Sequence, residues 1–122
     1  MYSKEVMDYF QNPKNMGALT DATVVGEVGN PVCGDMMKVY LKISENEVIE
    51  DIGFETLGCV AAIATSSMIT ELAKGKTLKE AETIEFEDVK EALGTLPLIK
   101  VHCAHLSVES LRKAINKYRE AK

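Results

Sequence analysis

The sequence predicts an α+β fold: a small antiparallel β-sheet of about three strands, covered by helices and closed by a long C-terminal helix. Two patterns carry this reading. Apolar residues recur with period two between Ala22 and Leu57, then switch to helical spacing after Gly58. Strands gathered first and helices afterwards favour α+β over alternating α/β order.

Val6 to Phe10 reads as one or two helical turns, ended by Asn12-Pro13. Asn15 to Gly17 reads as a turn. Ala22 to Val28 is the first strand. In the second, Met37, Val39, Leu41 and Ile43 alternate with Lys38, Tyr40 and Lys42, the pattern of a half-buried strand. Ser44-Glu45-Asn46-Glu47 is a polar connection into a third strand, Val48 to Leu57, with Ile52 and Phe54 on one face. The pair should form an antiparallel hairpin.

Cys59 to Lys74 is helical, rich in Ala, Ser and Met, and should pack closely against the sheet before Gly75 stops it. Thr77 caps a short helix to about Ala81, with Glu80 at the capping-box position. Glu87 to Leu93 is a further short helix, interrupted by Gly94 and Pro97. Val108, Leu111, Ile115 and Tyr118 mark the final amphipathic helix, for which Ser107 is the expected N-cap. The Lys- and Glu-rich stretch from Lys76 to Lys90 reads as a solvated face, and Met36, Met37 and Met68 as packing residues.

The chain has 122 residues, with 46% hydrophobic and 27% charged. These are globular values and fit a single domain over 1–122. The net charge of −5 counts against binding nucleic acid or an anionic membrane surface. No apolar run approaches the roughly 18 residues of a membrane span, and the first ten residues are neither a secretory signal nor a transit peptide. A cytoplasmic setting is expected. The three cysteines are then free thiols rather than a disulfide framework.

Their surroundings suggest more than packing. The two histidines both flank Cys103, in His102-Cys103-Ala104-His105. Cys33 lies in Pro31-Val32-Cys33-Gly34-Asp35, where Pro31 stiffens the loop and Gly34 lets Cys33 and Asp35 face the same way. Cys59 opens the long helix, whose positive end favours the thiolate that binds metal or attacks sulfur. His102-Cys103 is expected just before the last helix. Three segments can thus meet at one end of the molecule. They offer five donors for four positions: Cys33, Asp35, Cys59, His102 and Cys103. Ligand type alone does not separate zinc from an iron-sulfur core. Asp35, a hard ligand among soft thiolates, would be the exchangeable one. His105 matches no ligand position and reads as an exposed helix-end residue.

Taken together, these motifs resemble those of the iron-sulfur cluster assembly scaffold proteins, the U-type scaffolds of the ISC and NIF systems. The likeness rests on Tyr2-Ser3, Asn12-Pro13 and Asn15-Met16-Gly17. It rests also on Asn30 to Asp35, on Gly58-Cys59 with Ala61 to Ser67, and on Lys100 to Cys103. The resemblance implies that Cys33, Cys59 and Cys103 ligate a [2Fe-2S] cluster, with Asp35 and His102 as alternating or auxiliary ligands. Zinc is an alternative occupant of the same site. It implies that a PLP-dependent cysteine desulfurase passes persulfide sulfur to Cys103 first and to Cys59 second. Iron enters at the same residues, an electron donor reduces the persulfide, and acceptor proteins receive the cluster. The chain would be a scaffold rather than an enzyme. Tyr2 would help two scaffolds meet in a homodimer.

Two departures bear on partners and function. An Hsp70-type chaperone recognises a Leu-Pro-Pro-Val-Lys segment in bacterial relatives. Here the segment is Leu96-Pro97-Leu98-Ile99-Lys100, and loss of the second proline weakens the extended form. The chain also has no long insertion between Cys59 and Cys103, and His102 rather than Lys precedes the last cysteine. Both features separate it from a zinc-site sulfurtransferase, the competing reading. A cysteine hydrolase is disfavoured because His102 and Cys103 are adjacent, an awkward geometry for a base and its nucleophile.

Overall fold

The computed structural model describes residues 4–30, 35–57, 60–94 and 101–121, with the backbone path alone for 30, 35, 60, 61 and 101–104. The elements are α1 (Lys4–Gln11), β1 (Val24–Asn30), β2 (Asp35–Ile43), β3 (Ile49–Leu57), α2 (Val60–Ala73), α3 (Leu78–Ala81), α4 (Phe86–Leu93) and α5 (Val101–Ala121). The three strands form one antiparallel sheet in the order β1-β2-β3. This is the predicted architecture.

The period-two pattern sorts the sheet into two faces. Met37, Val39 and Leu41 are buried, and so are their β3 neighbours Ile52 and Phe54. On the opposite face Lys38 pairs with Glu27 at 3.6 Å, and the Tyr40 hydroxyl donates to Glu55. The hairpin turns at Ser44 to Val48. There the Ser44 amide donates to the Val48 carbonyl at 2.9 Å, and Glu47 takes a positive φ of 59°. Gly53 breaks the alternation by being buried on the outer face. A Cβ there would collide with the Gly17 carbonyl.

That collision identifies a strap. Residues 14–17 run along the outer edge of β3. The Phe54 amide donates to the Asn15 carbonyl at 3.0 Å, and the Gly17 amide to the Phe54 carbonyl at 2.7 Å. Ser67 of α2 holds the strap from below, accepting from the Lys14 amide at 2.6 Å and donating to its carbonyl at 3.2 Å. Asn15 Nδ2 donates to Thr70 Oγ1 at 3.1 Å. Asn15 and Gly17 take φ values of 61° and 117°, which explains a turn-forming pair here. The strap covers an edge strand that would otherwise expose unpaired backbone groups.

Helix α2 is buried almost all round, from Ala62 to Ala73. Its small residues permit this. Thr65 and Thr70 return their hydroxyl protons to the carbonyls of Ala62 and Ser67, so their burial leaves no polar group unsatisfied. Gly75, with φ of 83°, ends the helix as expected. Thr77 and Glu80 form the predicted capping box on α3. A second, unpredicted cap opens α4, where the Glu85 amide donates to the Asp88 carboxylate at 2.8 Å.

Two expectations are corrected. Helix α5 begins at Val101, not after Ser107, so His102 and Cys103 lie in its first turn rather than before it. Ser107 is fully buried inside the helix, as is Ser110. Small residues are needed because α5 presses its backbone onto β1. A Cβ on Gly26 would lie 2.6 Å from the Ala114 nitrogen and 2.7 Å from the Ser110 carbonyl oxygen. The stretch from Lys76 to Lys90 is also not simply a solvated face, since Leu78, Ala81 and Val89 are buried in the core.

Candidate functional site

The sheet register decides which connections lie together. Asn30, the last residue of β1, pairs with Asp35, the first of β2. Cys33 therefore belongs to a four-residue connection, 31–34, at this end of the sheet. Met36 pairs with Leu57, the last residue of β3, so β3 ends there too. Residues 58–59 then join Leu57 to Val60 at the start of α2. Cys33 and Cys59 themselves lie outside the described residues, as do Tyr2 and the segment Leu96 to Lys100.

The third segment is located by how α5 crosses the sheet. Lys117 Nζ donates to the Val25 carbonyl at 3.3 Å, Ala114 and Ser110 face Gly26, and Ser110 Oγ donates to the Met37 carbonyl at 3.3 Å. Decreasing residue number on α5 thus follows increasing number on β1. Met37 is two residues from Asp35, about 7 Å along the strand. Cys103 is seven residues from Ser110, about 10 Å along the helix. The first turn of α5 therefore stands over the same sheet end as Asp35 and Leu57. The backbones of Asp35, His102 and Cys103 share this end with the flanks of Cys33 and Cys59.

Backbone contributes positive potential at this end. Cys103 lies in the first turn of a 21-residue helix, and Cys59 directly precedes α2. Helix starts carry partial positive charge, which lowers the cost of a thiolate. The described rim is neutral and apolar. Leu57 is 50% exposed, Met36 is half-buried, and Gly29 is their neighbour across the strands. Thr56 Oγ1 donates to the Met36 carbonyl at 2.6 Å and fixes this strand end. Sequence reading assigned Met36 to packing and passed over Leu57. A large aliphatic residue next to Gly58-Cys59 was the available signal.

A groove of about 830 Å³ lies elsewhere. It runs between α2, α3 and α4, from Leu72 and Lys76 to Ile84 and Glu91. Lys76 bonds to Ile49 at the start of β3, so the groove sits at the far end of the sheet from Leu57. Among the described residues, no group of three or more His, Cys, Asp or Glu comes together to hold a metal. His105 is exposed, as expected, but is not idle. Its ring lies against Phe86 of α4, with centroids 4.0 Å apart and planes tilted by 34°.

The model of the NifU-like N-terminal domain matches residues 1–122. The iron-sulfur cluster assembly scaffold protein IscU 1 of Archaeoglobus fulgidus is 58% identical over 118 residues, covering 97% of this chain and 76% of that protein. IscU of Aquifex aeolicus is 49% identical over 118 residues, covering 96% and 75%. IscU of Azotobacter vinelandii is 44% identical over 124 residues, covering 99% and 96%. Among solved structures, a SUF-system scaffold candidate from Fervidobacterium islandicum superposes with a TM-score of 0.77 at 26% identity, covering 93% of this chain and 96% of that one. The N-terminal part of a NifU-like protein from Brucella abortus superposes with a TM-score of 0.76 at 20% identity, covering 98% and 95%, a likeness of fold alone. Matched along its whole length by the family model, and sharing about half its residues with the curated scaffolds, this chain belongs to the NifU-like N-terminal domain family.

Proposed function

We propose that this chain is a scaffold on which [2Fe-2S] clusters are assembled and from which they are handed on. The observation that supports the reading is that the described flanks of the 31–34 and 58–59 connections lie at one sheet end with the first turn of α5. The 31–34 connection bears Cys33, the 58–59 connection bears Cys59, and the first turn of α5 bears His102 and Cys103. The cluster is cargo rather than a resident cofactor. Cys33, Cys59 and Cys103 supply thiolates, and Asp35 or His102 completes the set. The whole of residues 1–122 serves as one domain.

The chemistry follows from the donor types. The Cys103 thiolate attacks the outer sulfur of a desulfurase persulfide and releases the desulfurase cysteine as thiolate. Two electrons from a separate donor then reduce the new persulfide to sulfide and restore the Cys103 thiol. Cys59 is the second acceptor. Ferrous iron binds the same thiolates. A carboxylate among them makes the weakest bond, which suits a cluster that must leave. Partners are thus a PLP-dependent cysteine desulfurase, an electron donor and acceptor apoproteins. A second copy of the chain is a further partner.

A second reading is a zinc-site sulfurtransferase. Three thiolates and an imidazole are also an ordinary zinc set, which permits it. One experiment separates the two. Anaerobic apoprotein is incubated with ferrous iron, cysteine, a reductant and a cysteine desulfurase, and visible absorption is followed with iron and sulfide analysis. Charge-transfer bands with equal iron and acid-labile sulfide support the scaffold. Persulfide without iron uptake, or zinc that iron does not displace, supports the sulfurtransferase.

A further inference from the structure

We infer that His105 is a positioning residue, which holds the site-bearing turn of α5 through its contact with Phe86. The inference rests on the scaffold reading for what that turn carries. Its structural half stands independently. His105 is the first described side chain of α5, two positions past Cys103. It is also the leading member of a row at seven-residue spacing. Arg112 Nη2 donates to the Ile84 carbonyl at 2.9 Å and pairs with the Glu85 carboxylate at 3.0 Å. Arg119 pairs with Glu82.

Residues 105, 112 and 119 lie along one face of the helix, because seven residues make nearly two turns. Their partners, 86, 84–85 and 82, run the opposite way along the α3–α4 segment. The row is a seam that fixes both the rotation and the axial position of α5. The two arginine contacts are exposed ion pairs, soft and screened by salt. The His105–Phe86 contact is a ring stack, less sensitive to salt, and it sits where the helix carries the site. Cys103 is about 3 Å from His105 along the helix axis. Loosening the stack frees the turn that presents His102 and Cys103, while the buried Leu111 and Ile115 still hold the rest of the helix.

The test compares wild type with His105→Ala, Phe86→Ala, His105→Phe and Arg119→Ala. Amide hydrogen exchange over residues 101–106 is measured on the apoprotein. The half-life of the reconstituted cluster against a chelator, with its visible circular dichroism, is measured on the loaded protein. A ring stack of this kind is worth about a three- to tenfold population change. His105→Ala and Phe86→Ala should therefore speed exchange in the first turn about three- to tenfold, shorten cluster lifetime in the same proportion and alter the dichroism. His105→Phe keeps a ring and should restore all three. Arg119→Ala, at the other end of the seam, should leave them at wild-type values. Wild-type exchange and cluster lifetime in His105→Ala would overturn the inference. Failure of His105→Phe to restore them would also overturn it, by showing that the imidazole nitrogens matter rather than the ring. If wild type assembles no cluster, the scaffold reading fails, and the apoprotein exchange still decides whether His105 anchors the turn.

Discussion

Gly26→Ala should be among the most damaging single-methyl changes in this chain. The added carbon would sit 2.6 Å from the Ala114 nitrogen, 2.7 Å from the Ser110 oxygen and 2.8 Å from the Ala114 Cα. Carbon contacts are comfortable at about 3.5–4.0 Å, so α5 must withdraw by about 1 Å. All three opposing atoms are backbone, so no rotamer change relieves them. Withdrawal stretches the Ser110 Oγ bond to the Met37 carbonyl, already 3.3 Å long, and loosens the packing of Leu111 and Ile115. Overpacking costs about 1–3 kcal/mol, and the rigidity of the obstacle places this case near the top, at about 3 kcal/mol. For a chain of this length that is a fall of about 12 °C in Tm. Urea and thermal unfolding followed by far-UV dichroism give the value. Ala114→Gly in the same chain should rescue nothing, because the methyl it removes is not among the atoms struck, and it adds about 1 kcal/mol of helix cost. Gly75→Ala is the contrast: its Cβ meets open space, and only the φ of 83° opposes it, for about 1 kcal/mol. A loss under about 1 kcal/mol for Gly26→Ala, or rescue by Ala114→Gly, would refute the close approach of helix and strand.

Other outcomes follow from the proposed chemistry and from the sheet's outer face. Cys103→Ser should abolish persulfide loading from the desulfurase, read by intact-mass spectrometry, and unchanged loading would move the first acceptor to Cys59 or Cys33. Asp35→Ala should retain its cluster longer than wild type and transfer it more slowly to an acceptor apoprotein; faster decay or transfer would remove Asp35 from the exchangeable role. Tyr40 should ionise late. Its hydrogen bond to Glu55 pushes the phenol up from 10.0 to about 12. The sign is that of a group held neutral by folding: its stabilising contribution is present below about pH 10 and is lost as pH rises toward 12. A phenolate absorbance titration should show Tyr40 ionising well above the ordinary phenol value, and Glu55→Gln should bring it down. A titration unchanged by Glu55→Gln would refute the cause.

The sequence made most of the sheet legible because one face of each strand meets water. Lys38, Tyr40 and Lys42 could only alternate with Met37, Val39 and Leu41 if the latter faced inward. The Thr77–Glu80 cap was readable because capping is a local matter of four residues. The start of α5 was not. Ser107 has the chemistry of a cap, and nothing nearby in sequence says that it is buried inside the helix. The close approach of α5 to β1 is likewise set far away, by Gly26, eighty-four positions from Ser110. The seam from Arg119 to His105 was hidden for the same reason. Its partners Glu82, Glu85 and Phe86 lie in a stretch whose charges read as solvation, and only tertiary packing assigns them to α5. The donor types of the site were legible as residues. Their proposed gathering rests on the register of the flanking residues, Asn30 with Asp35 and Met36 with Leu57, which no local pattern specifies.

The earlier start of α5 changes the chemistry expected of Cys103. In a loop, its thiol would take its acidity from whatever side chains lay near. The first turn of a 21-residue helix adds the unpaired backbone amides of the helix start. Such an end is worth about 0.3–1 kcal/mol to an anion. The start of α2, the residue after Cys59 in sequence, offers the same backbone amides. For a chain of net charge −5 that is proposed to gather several thiolates, this compensation matters. Among the described residues of the rim row Gly29, Met36 and Leu57 there is no lysine or arginine. A cationic side chain there would offset the same charge, but as a mobile group that follows the cargo and must be displaced when it goes. Helix ends supply the offset from fixed backbone. They favour the thiolate state needed to receive sulfur and iron, and they stay in place when the cluster departs.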